Sequence, residues 1–214
     1  MATTAQLKTR VILQTSRDDM GSGGILEQAL TDALAQAVED WADTQFWFNR
    51  ASGTGNTTAN VATITMPSGI RVPAVVAYGT AYSGRKLERV DLETIETSTV
   101  TGQPTQWAEN EGTIQLWPIP NGVYAIYVYG NDSAGVPASG SSNIWTTEAY
   151  DLIVATTCKR LYRDYFRDIE GATLAQAAEG EALAKLQRET RRRGRFGLKS
   201  DLPIIRRGSD LLYA

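Results

Sequence analysis

Helical periodicity occurs at both ends of this 214-residue chain and is absent from its middle. Over residues 25–43, Leu26, Ala29, Leu30, Ala33, Leu34, Ala37, Val38 and Trp41 recur three and four apart. That spacing puts them on one face of an α-helix, and such a stripe must be buried against something. A shorter helix is expected over residues 3–15, with Leu7, Val11 and Ile12 on one side. Helical character returns at Thr146, the expected N-cap, with Glu148 in the first turn. Tyr150, Ile153, Val154, Thr157, Cys158, Leu161, Tyr162, Tyr165 and Phe166 then form a wide apolar face up to residue 168. After a break at Gly171, an Ala-rich helix is expected over residues 172–193. Leu174, Ala178, Leu183 and Leu186 are its stripe, and it closes in Arg191-Arg192-Arg193-Gly194, cations at the C-terminal turn as the helix dipole prefers.

Between these ends, residues 45–135 are rich in Thr, Val, Ile, Gly and aromatics. Strands are expected at 45–49, 60–66, 72–78, 86–90, 105–108, 113–117 and 123–129, with a short helix at 91–97 capped by Asp91. Thr113 to Trp117 and Val123 to Tyr129 flank a turn that carries Asn121-Gly122 and read as a hairpin. The segments 51–60 and 133–143 are rich in Gly and Ser and read as a loop and a linker. The expected architecture is α+β. N- and C-terminal helices (residues 1–44 and 144–194) form a bundle of about four helices. An antiparallel β-rich subdomain (45–143) is inserted in it, and an extended tail (195–214) follows.

Much chemistry is excluded. There is no histidine, which removes Ser–His and Cys–His nucleophiles, imidazole metal sites and a histidine pH switch. Cys158 is the one cysteine, so neither an internal disulfide nor a thiolate metal cluster forms. One free thiol fits a reducing compartment. On the apolar face of a helix, with no histidine as base, Cys158 reads as an inert core thiol. Gly21-Ser22-Gly23-Gly24 opens a helix but lacks the Lys-Ser/Thr pair and the preceding strand of a phosphate loop. Of the carboxylate pairs Asp18/Asp19, Glu39/Asp40 and Glu109/Glu111, the last sits in a polar turn with nothing apolar enough to raise a pKa. Trp41, Phe46, Trp47 and Phe48 read as core where bundle meets β block, since only Arg50 is near enough in sequence to interleave a base-stacking platform. No catalytic, cofactor-binding or metal-binding residue is expected. The start, Met1 to Gln6, lacks the layout of a secretory signal. The uncharged run Gly112 to Asn131 is broken by Pro118, Pro120, Asn121 and Gly122, so no membrane span is expected.

The net charge of −3 hides a split. Residues 1–184 hold 12 Lys and Arg against 21 Asp and Glu, a net −9; residues 185–214 hold 9 against 3, a net +6. An acidic body with a basic end suggests that the end meets something acidic. Within that end, Arg195, Arg206 and Arg207 alternate with Phe196, Leu198, Leu202, Ile204, Ile205, Leu211, Leu212 and Tyr213. Apolar anchors interleaved with cations suit a strap docked on another protein better than an electrostatic nucleic-acid arm.

The order of features resembles the head-to-tail adaptor (connector) proteins of tailed bacteriophages, of the podovirus kind. The resemblance is carried by Phe46-Trp47-Phe48-Asn49, Ile64-Thr65-Met66-Pro67, Leu87 to Ile95, and Gly102-Gln103-Pro104-Thr105-Gln106-Trp107. It continues through Ile114 to Pro120, Tyr124 to Tyr129, and Ser142-Asn143-Ile144-Trp145 leading into the long helices. It covers residues 3–193. It implies a non-enzymatic virion protein at the head–tail junction, made in the host cytoplasm and needing no cofactor. Such proteins form a ring, a dodecamer, between the portal and the tail nozzle or tube. They extend the DNA channel used in genome ejection, and their C-terminal segment grips the portal. DNA would pass without specific binding. Three other readings remain: a stopper or other neck protein, a nucleic-acid module using Arg191 to Arg207, and a wall-degrading enzyme using Glu109 or Glu111.

Overall fold

The computed structural model describes residues 2–21, 25–79, 84–96, 99–138 and 140–197. Helix α1 (Thr4–Thr15) is opened by a capping box, in which Thr3 and Gln6 each accept the other's backbone N–H. This satisfies two of the donors a helix start leaves free. After a 3-10 turn at Asp18–Gly21, α2 (Ile25–Ala42) buries Ala29, Leu30, Ala33, Leu34, Ala37 and Val38, the stripe expected from sequence.

The middle of the chain holds β1 (Arg50–Asn56), β2 (Thr63–Thr65), β3 (Ile70–Tyr78), β4 (Arg85–Lys86) and β5 (Glu88–Arg89). It continues through α3 (Leu92–Glu96), β6 (Thr101–Gly102), β7 (Gln106–Asn110), β8 (Thr113–Trp117), β9 (Ile119–Pro120) and β10 (Ala125–Asp132). One sheet has the order β1-β10-β3-β4, a second β2-β8-β7-β5, and β6 pairs with β9. Pairing is antiparallel except at β5–β7 and β6–β9. Ile64, Val76, Trp107, Ile114, Leu116, Ile126 and Val128 fill the β core.

Helices α4 (Ile144–Glu148), α5 (Tyr150–Arg160) and α6 (Ile169–Gly197) complete the chain, with a π-helical turn at Leu161–Phe166 between the last two. Helix α5 touches α1, α2, α4 and α6 and is the centre of the helical core. Leu7, Val11, Leu30, Leu34, Phe46, Phe48, Trp145, Leu152, Ile153 and Leu161 meet there. The architecture is α+β.

Five local expectations are corrected. Residues 45–49 are not a strand: Phe46 and Phe48 turn into the helical core, and the first strand begins at Arg50. That strand occupies the expected loop at 51–60. Gly53 within it is demanded by packing, since a Cβ there would collide with Pro67. The expected hairpin does not form, because β8 and β10 lie in different sheets. Pro118 and Pro120 lack the N–H that a continuing ladder needs, and the tight turn is instead Glu111-Gly112 between β7 and β8, both at positive φ. The N-cap is Asn143 rather than Thr146: its Oδ1 accepts from the N–H groups of Trp145 and Thr146, and Thr146 Oγ1 accepts in return from Asn143 N–H. Finally, the break between α5 and α6 is at Arg167, in the left-handed region, and not at Gly171. Gly171 lies in the first turn of α6, where a Cβ would come 2.7 Å from the Tyr162 ring.

Candidate functional site

The basic end of α6 is fixed by contacts that run from Ala175 to Arg193. About a third of the way along, buried Glu179 accepts from Thr156 Oγ1 at 2.8 Å and from Lys159 Nζ at 2.7 Å. Thr156 Oγ1 also accepts from the Trp41 indole at 3.0 Å, so one hydrogen-bonded chain crosses α2, α5 and α6. Further along, Lys185 reaches Asp151 at 3.5 Å. At the Arg-rich turn, Thr190 Oγ1 accepts from Trp47 N–H at 3.3 Å, and the Arg193 guanidinium lies 3.4 Å over the Trp47 ring. Arg192 and Arg193 both reach Glu189, whose carboxyl is held below its usual range chiefly by the Arg192 hydrogen bond.

This turn immediately precedes the segment expected from sequence to dock on a partner. The helix continues through Gly197, so Arg195 and Phe196 belong to α6 and the expected extended segment does not begin at residue 195. The Gly194 stop was misplaced as well: alanines, leucines and arginines favour continuing a helix over a single glycine's cost of about 1 kcal/mol. Leu198, Leu202, Ile204, Ile205, Arg206, Arg207, Leu211, Leu212 and Tyr213 lie outside the described residues, as do Ser22, Gly23 and Gly24 of the Gly-rich loop.

The Trp47–Arg193 pair was not legible in sequence. The two residues are 146 positions apart, and neither carries a local signal of the other. The same holds for the joint between helices and sheet. There Arg71 of β3 reaches Glu39 and Asp43, both at 2.6 Å. The Glu39 and then the Asp43 hydrogen bonds raise the Arg71 pKa above its ordinary value. Asn131 Nδ2 adds bonds to the carbonyls of Ala42 and Asp43.

The other sequence candidates have structural settings. Glu109 pairs with Arg89 at 3.4 Å, and Glu111 is an exposed residue of the β7–β8 turn. Among the described residues no group of three or more His, Cys, Asp or Glu is placed to hold a metal ion, and no helix is long and apolar enough to cross a membrane. Cys158 is buried, with its Sγ 3.4 Å from Gln14 Oε1, and burial pushes its thiol up to about 12. A thiolate-selective alkylating reagent should therefore leave Cys158 unlabelled at pH 8 in the native protein and label it at once in denaturant. Labelling at equal rates in the two states would contradict this.

What these contacts define is an α+β scaffold whose charged side chains tie helix to helix and helix to sheet. The family model described as SU10 adaptor protein matches residues 2–200, and the chain belongs to that family. It is a phage structural adaptor protein, a component of the virion that connects others. No curated protein matches it.

Proposed function

We propose that the chain is one subunit of a ring, a dodecamer, which joins the portal to the tail nozzle or tube of a podovirus-like phage and extends the DNA channel. In this reading residues 1–44 and 144–194 form the body that packs beside neighbouring subunits. The inserted β part, residues 45–143, faces the next tail protein, and the segment after Gly197 docks on the portal. The observation that carries it, beside the family, is the setting of α6. The helix packs on the helical core through Ala175, Ala182, Leu183 and Leu186, and its Arg-rich turn is anchored on Trp47 through Thr190 and Arg193, so in this reading the strap leaves from a fixed point. A rigid exit lowers the ordering cost of docking.

An acidic body suits a channel wall, because negative walls do not trap phosphates. Use of the same arginines to bind nucleic acid is disfavoured by their partners, since Arg192 and Arg193 are held by Glu189 and Trp47. No catalytic role and no cofactor are assigned.

Deleting residues 198–214 tests the reading. The truncated protein should melt at the temperature of the full chain and fail to sediment with portal rings of the same phage. Undiminished co-sedimentation would overturn the strap, and steep salt-dependent binding of the full chain to duplex DNA would favour the nucleic-acid reading instead.

A further inference from the structure

Helices α1 and α6 flank α5 without closing over it, and the gap between them is a cleft of about 930 Å³. Its floor is Val154, Ala155 and Cys158 of α5. One wall is Arg10 and Gln14 of α1; the other is Ala178, Lys185 and Arg188 of α6. The α6 wall is built of short side chains around Ala175, Ala178 and Ala182, which lets another backbone approach closely. Arg10 and Arg188 are exposed, and among the described residues no ion pair engages either. Lys185 pairs with Asp151 of α5, and Glu181 is the other carboxylate on this side. Arg191, one turn beyond Arg188, is exposed as well.

The position of the cleft around α5 is set by helix geometry. Thr156 and Arg160 face α2, bonded to Trp41 and to Asp40 with Gln36. Asp151, Val154, Ala155 and Cys158 line the cleft. At about 100° per residue these two sets are half a turn apart. The cleft and α2 therefore lie on opposite sides of α5.

The outer face of α2 has the complementary character. Gln28, Asp32, Ala35 and Glu39 are exposed along one stripe, and the helix contains no Lys or Arg. Arg71 serves Glu39 and Asp43 together, and Arg160 takes Asp40. Lys8 reaches this face at Thr31. Asp32 accepts from its neighbour Gln28, and among the described residues no cation pairs with Asp32 or Glu27. One copy thus presents an acidic helical ridge on one side and a small-residue slot with basic rims on the other. A ring needs this arrangement: two different, matching patches on opposite sides of each subunit.

We propose that the cleft between α1, α5 and α6 receives the outer face of α2 from a second copy of this chain, with Asp32 meeting the Arg188 rim. The proposal rests on the ring reading and assigns its subunit contact. Charge steers the approach, and the ridge then packs into the slot as helices do in bundles.

The test uses the full chain with Cys158→Ala and two new cysteines, Ala35→Cys on the ridge and Ala178→Cys in the slot. Oxidation at high protein concentration should give a ladder of disulfide-linked dimers and higher multiples. The control pair, Ala35→Cys with Val123→Cys on the β part, should give little. Adding Arg188→Glu should lower the ladder about tenfold, since like charges across an interface are strongly disfavoured. Adding Asp32→Arg to that variant should restore it. All positions but Cys158 are exposed, and an unchanged melting temperature relative to Cys158→Ala shows that the fold is intact. A ladder no stronger than the control, or one indifferent to Arg188→Glu, overturns the contact. Electron microscopy of the wild-type chain bound to portal rings separates the two levels. A ring without the 35–178 link leaves the ring reading standing and removes this contact. Absence of any ring removes the ring reading, while the ladder still decides whether the two faces meet.

Discussion

Trp145→Ala is expected to lower the unfolding free energy by about 4 kcal/mol, within the range for truncating a fully buried large aromatic side chain. Trp145 is 0% exposed. Its ring meets Phe48 edge-on at 5.4 Å and Phe46 at 6.2 Å, and those two rings stack on each other at 5.3 Å. The two phenylalanines end the N-terminal helical segment, and Trp145 begins the C-terminal one. The cluster therefore closes the helical core where the chain leaves it and where it returns. Buried Asn49 holds the turn from inside, accepting from Phe46 N–H and donating to the carbonyl of Thr44, both at 2.8 Å. Trp145→Phe keeps an aromatic group in the cluster and should lose less than half as much. Urea denaturation of the three proteins decides the matter: a loss under about 1 kcal/mol for the alanine variant would mean that the cavity collapses and the cluster is not central.

The second large effect is expected at Glu179. Glu179→Ala should cost about 3 kcal/mol, the lower end of the range for breaking a buried ion pair, because Lys159 remains a quarter exposed and can reach water. Loss of the carboxylate also leaves the Thr156 hydroxyl, already an acceptor for Trp41, without its own acceptor. Replacing both partners, Glu179→Leu with Lys159→Met, should recover most of the loss, since a buried pair is often no better than a well-packed apolar one. Equal destabilisation by the single and double variants would show that the volume of Glu179, and not its charge, is what α5 and α6 require.

The stripe of α2 was readable because burial on one face of a helix leaves a period in the sequence, and the structure buries those residues. The sheets were less readable. Strand β1 is made of Arg, Ala, Ser, Gly and Asn around a single strand-favouring Thr54, and it forms because β10 offers it a full antiparallel register. Both β8 and β10 were recognised as strands, yet their partners were not, since a strand's composition does not say which sheet it joins. The candidate site divides in the same way. The charge split named the basic end of α6, but its anchor on Trp47 and the Thr156–Glu179 pairing depend on contacts between residues far apart in the chain. The cysteine was legible throughout, because an apolar helix face predicts a buried thiol.

The two cores draw on the chain very differently, and this bears on its synthesis. The buried residues of the β core fall between Ile64 and Val128, whereas Leu30 and Leu34 are completed by Leu152 and Ile153. A ribosome adds about 5–20 residues per second, so the middle of the nascent chain can fold while the first two helices still wait several seconds for their partners. During that interval the α2 stripe is open, and it is then that a chaperone, or an aggregate, would find it.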